Sequence, residues 1–307
     1  MIPSPPSDRP IRAAATADAL DALRSRAPGG TEILALGDGL DLTTVDFLVP
    51  AAGDHGIVTE LPGLHALSIV QVLSAGTDWI ESHVPAQAAL CSARGARDAP
   101  VAEWVLGALL GASTGLLDRA RHRAWSDRAL RDLGGSTVLI VGMGSIGRLL
   151  GTWLRALDVD VVGVASRARD GLHGIDELPR LLPGADGVVL LTPLTDATRG
   201  LIGAAELAAL RDGAVIVNAA RGPVLDAAAL LPEVQSGRLR AVLDVTDPEP
   251  LPGDHPLWAA PGVLSITPHL AGDSPRGHAR AAELAGDQLA RWAAGEPLHN
   301  VVAQGSP

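Results

Sequence analysis

The chain has no lysine: all 24 of its basic residues are arginine, and among 307 residues there is no tyrosine, one phenylalanine and one cysteine. These are compositional biases and carry no function of their own, but the scarcities exclude several classes. A lone Cys91 cannot form an intramolecular disulfide and fits a reducing compartment. It stands at no metal-ligand spacing and reads as a small core residue, so no metal site is expected. Twenty-four cations against 35 acids leave a net charge of −11, which argues against general affinity for nucleic acid or for anionic membrane surfaces. Long apolar runs are missing too. The longest, 104–117, is broken by Ser113 and Thr114, is shorter than a bilayer requires and reads as a buried helix. The proline-bearing first ten residues lack the apolar segment of a secretory signal, and a cytoplasmic location is the expectation.

What the chain does have is apolar content, 47%, and enough length for two domains with separate cores. Up to about residue 97, short apolar runs (32–36, 47–49, 67–73) alternate with turns and a weak helical pattern at 18–26, which predicts a small α/β domain with no strand before residue 32. Asp98-Ala99-Pro100 then opens a long helix carrying Val101, Trp104, Val105, Leu109 and Leu110. From residue 138 the pattern becomes regular. Apolar strands over 138–141, 159–164, 187–191, 214–218 and 241–245, with a sixth at 263–267, alternate with helical stretches. Strands apolar throughout imply a parallel sheet covered on both faces. A final helix over 276–294 is placed to pack back on the first domain.

The first of these strands runs into Gly142-Met143-Gly144-Ser145-Ile146-Gly147, followed by apolar residues at helical spacing: Leu149, Leu150, Trp153, Leu154 and Leu157. Strand, GxGxxG and helix in that order are the setting of a dinucleotide-binding turn. Gly142 permits the tight turn, Gly144 lets the backbone approach a pyrophosphate, and Gly147 lets the helix lie close on the strand. The diphosphate then meets free N–H groups at the helix N-terminus.

Three ionisable residues follow the late strands, each in a glycine- or proline-rich turn: Arg221, Glu249 and His269. Singly they read as a surface arginine, an acidic turn residue and a capping histidine. At the carboxyl ends of one sheet, where ligands of such sheets bind, they supply what carbonyl reduction needs. Arginine offers a planar fork for a carboxylate and polarises a carbonyl. Histidine exchanges a proton near neutral pH, and a carboxylate on its other ring nitrogen fixes its tautomer.

The blocks VLSAGTDWI, APVAEWVLGALL, VGMGSIGR, LTPLTDATRGLI, VNAARGPVLD, AVLDVTDPEPLP and LSITPHLAG together resemble the D-isomer-specific 2-hydroxyacid dehydrogenase family, glyoxylate/hydroxypyruvate reductases included, over most of the chain. The resemblance implies an α/β fold: a Rossmann-type doubly wound parallel sheet over 98–273, and a second, smaller flavodoxin-like domain from 1–97 plus 274–307, with hinges near Arg97 and Asp273. It implies His269 as general acid/base, Glu249 as its partner and Arg221 as the substrate-orienting residue. Ser74, Ala75 and Gly76 would hold the substrate carboxylate. Asp244 would meet the nicotinamide side, with Thr77, Thr192, Pro193, Thr198, Ala219, Ala220 and Gly272 lining the cofactor beside the glycine turn. It also implies a homodimer, with 100–131 as the contact.

Two departures stand out. Where members that use NAD carry an acid after the second strand, this chain reads Ser166-Arg167-Ala168-Arg169. An acid there would repel a 2′-phosphate, whereas serine and arginines accommodate it. NADP(H) is therefore expected over NAD(H), the alternative being that both arginines are solvated and neither cofactor is favoured. The N-terminal region is also shorter than the family pattern, which leaves the pocket loop at 49–55 open. The same fold also serves bulkier keto acids and phosphite, and a dinucleotide-sensing protein without turnover is the reading from another class. Trp79, Trp104 and Trp125 read as core or interface.

Overall fold

The structure, a computed structural model, describes residues 3–37, 39–121, 131–169 and 171–303. The chain divides into two compact units, Met1–Arg97 with Ser274–Pro307, and Asp98–Asp273. The second is thus inserted, in sequence, into the first.

In the first unit β1 (Arg12–Ala15), β2 (Glu32–Ala35), β3 (Phe47–Val49), β4 (Ile69–Gln71) and β5 (Ala89–Cys91) lie in the order 2-1-3-4-5. All are parallel, and the terminal strand Val301–Ala303 runs antiparallel beside β5. This is the flavodoxin-like order. Alternate side chains go to opposite faces. Phe47, Val49, Ile69 and Cys91 pack with helices Ala17–Arg26 and Pro275–Ala293, while Leu48, Val70 and Leu90 pack with Ile57, Val58 and Leu61. The Phe47 and Trp292 ring centroids are 6.2 Å apart. The two helices approach closely at Gly286, where a Cβ would stand 2.6 Å from the Ala22 carbonyl oxygen.

β1 corrects the expectation of no strand before residue 32. Its sequence is Arg-Ala-Ala-Ala, without the β-branched or aromatic residues that mark a strand. Alanine suits the place because layers cover both faces: Ala13 and Ala15 join one core and Ala14 the other, all fully buried.

In the second unit β6 (Thr137–Val141), β7 (Asp160–Ala165), β8 (His173–Gly174), β9 (Gly187–Leu190), β10 (Val215–Asn218), β11 (Arg240–Leu243) and β12 (Val263–Ile266) form one parallel sheet, ordered 12-11-10-9-6-7-8. This is the Rossmann order with one added strand, and it reverses between β6 and β9. The sheet carries one strand more than the sequence pattern gave, the two-residue β8, which is too short to show a pattern. Cores cover both faces, Val138 and Ile140 on one side, Leu139 and Val141 on the other. Among the described residues no helix is long and apolar enough to cross a membrane.

Candidate active site

The glycine turn connects β6 to helix Ser145–Ala156, and its three glycines answer three different demands. Gly142 has φ +113°, and a Cβ there would lie 2.6 Å from the Leu191 carbonyl carbon and oxygen. At Gly147 a Cβ would lie 2.3 Å from the Gly142 carbonyl oxygen. Gly144, which caps the helix, faces open space. The first and third glycines are therefore required by the chain itself. The second leaves a bare backbone where an anion can approach the helix N-terminus, so the turn fits a dinucleotide diphosphate. Ser145 and Ile146, in the first helical turn, are half-buried. Arg148 donates from Nη1 to the Met143 carbonyl at 2.9 Å, bracing the turn.

Neighbouring strands end in the other nominated residues. Ser166, Arg167 and Arg169 are exposed beyond β7. Beyond β9, Thr192 and Thr198 are buried, and both hydroxyls donate to the exposed Pro193 carbonyl, at 2.8 and 2.7 Å. Beyond β10, Ala219 is half-buried and Ala220 buried.

The late strands bring the ionisable residues together. His269 Nδ1 is 2.8 Å from Glu249 Oε1, both side chains being a little under half exposed. His269 has φ +57°, a left-handed conformation that a non-glycine residue keeps only where its surroundings impose it. The surroundings are Asp244, a 2% exposed residue just beyond β11. Its carboxylate accepts from Thr267 Oγ1 at 2.6 Å, Leu270 N–H at 2.8 Å and Ala271 N–H at 2.9 Å, and its carbonyl accepts from His269 N–H at 2.8 Å. Gly272, half-buried, closes this loop. Arg221 lies beyond β10 with Nη1 2.8 Å from the Ala220 carbonyl. The next residue, Gly222, lies so close to the Thr246–Asp247 backbone that a Cβ would fall 1.8 Å from the Thr246 oxygen. The arginine loop and the glutamate loop are thereby keyed together.

Sequence reasoning missed this scaffolding. Asn218, 1% exposed, accepts from Ala220 N–H at 3.1 Å and donates to the Arg221 carbonyl at 3.2 Å, fixing the arginine's backbone. A polar residue closing an otherwise apolar strand was its signal. Gly163 was missed as well: a Cβ there would strike Met143 and Leu172, so Met143 of the glycine turn lies directly over β7.

The first unit holds the remaining nominees, on the loop after β4. Ser74 is half-buried, Ala75 exposed, and Gly76 half-buried. Ser74 Oγ donates to the Gly76 carbonyl at 2.6 Å and accepts from Trp79 Nε1 at 3.4 Å. Thr77, buried, donates to Glu81 at 3.2 Å. Among the hydrogen bonds of the described residues, none uses the backbone N–H of Ala75 or Gly76. Trp79 and Trp104 each pack against a core; Trp125 lies outside the described residues, as do residues 122–130 of the expected dimer contact. A cavity of about 370 Å³ in the second unit opens at the opposite, amino ends of the strands, beside Arg131, Asp186 and Arg240, and holds none of the nominated residues. Among the described residues no group of three His, Cys, Asp or Glu could hold a metal ion.

A sheet of this order with a glycine turn at its reversal point defines a dinucleotide-binding α/β protein. The family model described as D-isomer specific 2-hydroxyacid dehydrogenase, NAD binding domain, matches residues 108–271, more than half of the chain. An uncharacterized protein of Corynebacterium melassecola is 32% identical over 84% of this chain and 88% of its own length. A D-3-phosphoglycerate dehydrogenase of Methanocaldococcus jannaschii is 27% identical over 84% of this chain, which spans only 51% of that longer protein. Among solved structures, a D-isomer specific 2-hydroxyacid dehydrogenase from Xanthobacter autotrophicus in complex with NADPH superposes with a TM-score of 0.82 at 30% identity, covering 96% of this chain and 98% of that one. An NADPH-dependent glyoxylate/hydroxypyruvate reductase from Sinorhizobium meliloti, in complex with NADP and sulfate, gives 0.81 at 27% identity over 96% and 98%. The chain belongs to the D-isomer specific 2-hydroxyacid dehydrogenase family, oxidoreductases with an NAD-binding domain.

Proposed function

We propose that this protein is an NADP(H)-preferring reductase of 2-keto acids, and the observation that carries the reading is the 2.8 Å contact between His269 Nδ1 and Glu249 Oε1. A carboxylate on Nδ1 holds the proton there, which makes Nε2 the atom that exchanges a proton with the substrate. A bound nicotinamide supplies the hydride. Ser74, Ala75 and Gly76 hold the substrate carboxylate through N–H groups, and Arg221 orients it and polarises the carbonyl. As charge grows on the carbonyl oxygen, Arg221 stabilises it and His269 Nε2 delivers its proton. Glu249 stabilises the imidazolium before that transfer. Asp244, whose carboxylate is engaged with the His269 loop, presents that loop to the nicotinamide side.

The preference for NADP(H) rests on Ser166, Arg167 and Arg169, exposed where an acid would reject the 2′-phosphate, and is supported by neighbours solved with NADPH or NADP. Thr77, Thr192, Pro193, Thr198, Ala219, Ala220 and Gly272 line the nucleotide, and the enzyme is a cytoplasmic homodimer with 100–131 at its contact, which sedimentation would check.

The test is steady-state oxidation of NADPH and NADH with glyoxylate, hydroxypyruvate, pyruvate and a bulky keto acid, repeated on His269→Ala. Turnover with NADPH preferred is the expected result, and the variant should lose roughly 10²- to 10⁴-fold in kcat while still binding NADPH. Activity that survives His269→Ala refutes the mechanism. NADPH binding without turnover of any keto acid would favour a nucleotide sensor.

A further inference from the structure

The loop that follows β4 is locked from within its own unit. Ser74 Oγ has one proton to give, and it stands 2.6 Å from the Gly76 carbonyl oxygen and 3.4 Å from Trp79 Nε1. An indole N–H can only donate, so it fixes the sense of the chain: Trp79 donates, Ser74 Oγ accepts, and the hydroxyl proton goes to Gly76. Trp79 is itself held, because its half-buried ring packs against the core that contains Val70, Val72 and Ile80. Carbonyls on either side are engaged as well. That of Ser74 accepts from the Ala93 N–H at 2.9 Å, and that of Thr77 accepts from the N–H groups of Ile80 and Glu81 at 3.0 and 2.9 Å. With these acceptors consumed, the Ala75 and Gly76 N–H groups, which no hydrogen bond among the described residues uses, are left to meet an anion. A hydroxyl proton spent on Gly76 is not also offered to a substrate, so the Ser74 side chain shapes the loop from inside.

We propose that Trp79 is a positioning residue for the substrate carboxylate. Its indole N–H orients the Ser74 hydroxyl, and the hydroxyl holds the Gly76 peptide so that the Ala75 and Gly76 N–H groups stay in place for the anion. Without the indole donor the hydroxyl is free to rotate, and the peptide it held loses its restraint. This inference rests on the keto-acid reading of the site, and its test separates the two.

Trp79→Phe removes the donor and keeps an aromatic ring. Calorimetric titration of the NADPH-loaded protein with oxamate, a keto-acid isostere that accepts no hydride, reads the loop without turnover. The variant should bind oxamate about two- to tenfold more weakly, the worth of one neutral hydrogen bond. Its KM for glyoxylate should rise by the same factor, with kcat and NADPH affinity near wild type. Ser74→Ala should lose a similar factor, and adding Trp79→Phe to Ser74→Ala should then cost nothing further, because both act through one chain. Benzothienylalanine at position 79 has the shape of tryptophan without the N–H and should reproduce the loss even where phenylalanine disturbs folding. Unchanged oxamate affinity in these position-79 variants, or losses that multiply in the double variant as they would for a ring that only fills space, overturn the inference and leave the reductase reading intact. If no keto acid is reduced but oxamate binding still depends on Trp79 through Ser74, the reductase reading fails and the positioning role stands.

Discussion

Gly222→Ala is the sharpest test of how the site is built. Gly222 does not adopt a left-handed φ, so alanine is acceptable to its own backbone and the perturbation is purely steric. Its Cβ would lie 1.8 Å from the Thr246 oxygen, 2.2 Å from the Thr246 carbonyl carbon and 2.8 Å from the Asp247 nitrogen, whereas real Cβ atoms essentially never approach within 3.0 Å. All three obstacles are backbone, so the Arg221 and Glu249 loops must separate by roughly 1.2 Å. A displacement of about 1 Å in a catalytic constellation costs on the order of 10²-fold in rate, or about 2.7 kcal/mol of barrier, and overpacking costs about 1–3 kcal/mol of stability. The glycine turn at 142–147 follows β6, which β9 separates from the β10 that leads to Gly222, so NADPH affinity should fall far less than kcat. The assay is kcat on a keto acid beside a fluorescence titration of NADPH and a thermal melt. Wild-type kcat together with a wild-type melting temperature would refute the claim that this contact keys the two loops.

Other outcomes follow from particular contacts. Replacing Arg167 and Arg169 with alanine should raise the KM for NADPH about ten- to hundredfold, from the loss of charge-assisted contacts, and leave that for NADH nearly unchanged; an equal effect on both cofactors would show that the arginines are merely solvated. Burial pushes the Cys91 thiol up to about 11, a neighbouring Gln288 hydrogen bond opposing it. With the ordinary thiol near 8.5–9, the folded state holds its proton through that window, so this contribution to stability is present below about pH 9 and is lost as pH rises toward 11. At pH 8 Cys91 should react with a disulfide reagent about a hundredfold more slowly than an exposed cysteine, on ionisation alone, and denaturant should abolish the difference; fast labelling of the native protein would contradict its burial. Asp46, 2% exposed, accepts from Arg9 Nη1 at 2.8 Å, Arg9 Nη2 at 2.5 Å and the Arg12 N–H at 2.9 Å. Asp46→Ala should cost about 1–3 kcal/mol, read in a denaturant melt, and a neutral result would mean that this pairing adds nothing to folding.

Much of the second unit was legible because its strands are continuously apolar and its turns carry glycines that nothing larger can replace, as Gly142 and Gly147 demonstrate. The first unit was less so. β1 is written in alanine, and alanine marks a strand only once the helices that crowd it are known. The ionisable side chains were visible from their places after strands. What holds them was not: Asp244 meets Leu270 and Ala271 across 26 and 27 residues of sequence, and Gly222 meets Thr246 across a comparable gap. Loop-to-loop contacts leave no periodicity in the chain. Asp244, expected to serve the nicotinamide side, has both carboxylate oxygens engaged with the histidine loop, a use that no reading of Leu-Asp-Val alone would give.

The interleaving of the two units also sets an order of events at the ribosome. Residues 1–97 are made before the inserted unit, yet the second of the two helices that cover Phe47, Val49 and Ile69 begins only at Pro275, after the whole of Asp98–Asp273 has been translated. At about 5–20 residues per second, the nascent first unit waits on the order of 10–40 s with that face of its sheet covered by helix Ala17–Arg26 alone. The inserted unit, continuous in sequence, needs nothing from downstream to close its own sheet. During synthesis the second unit therefore closes its own sheet before the first, whose layers are completed only by the helix that follows the insertion.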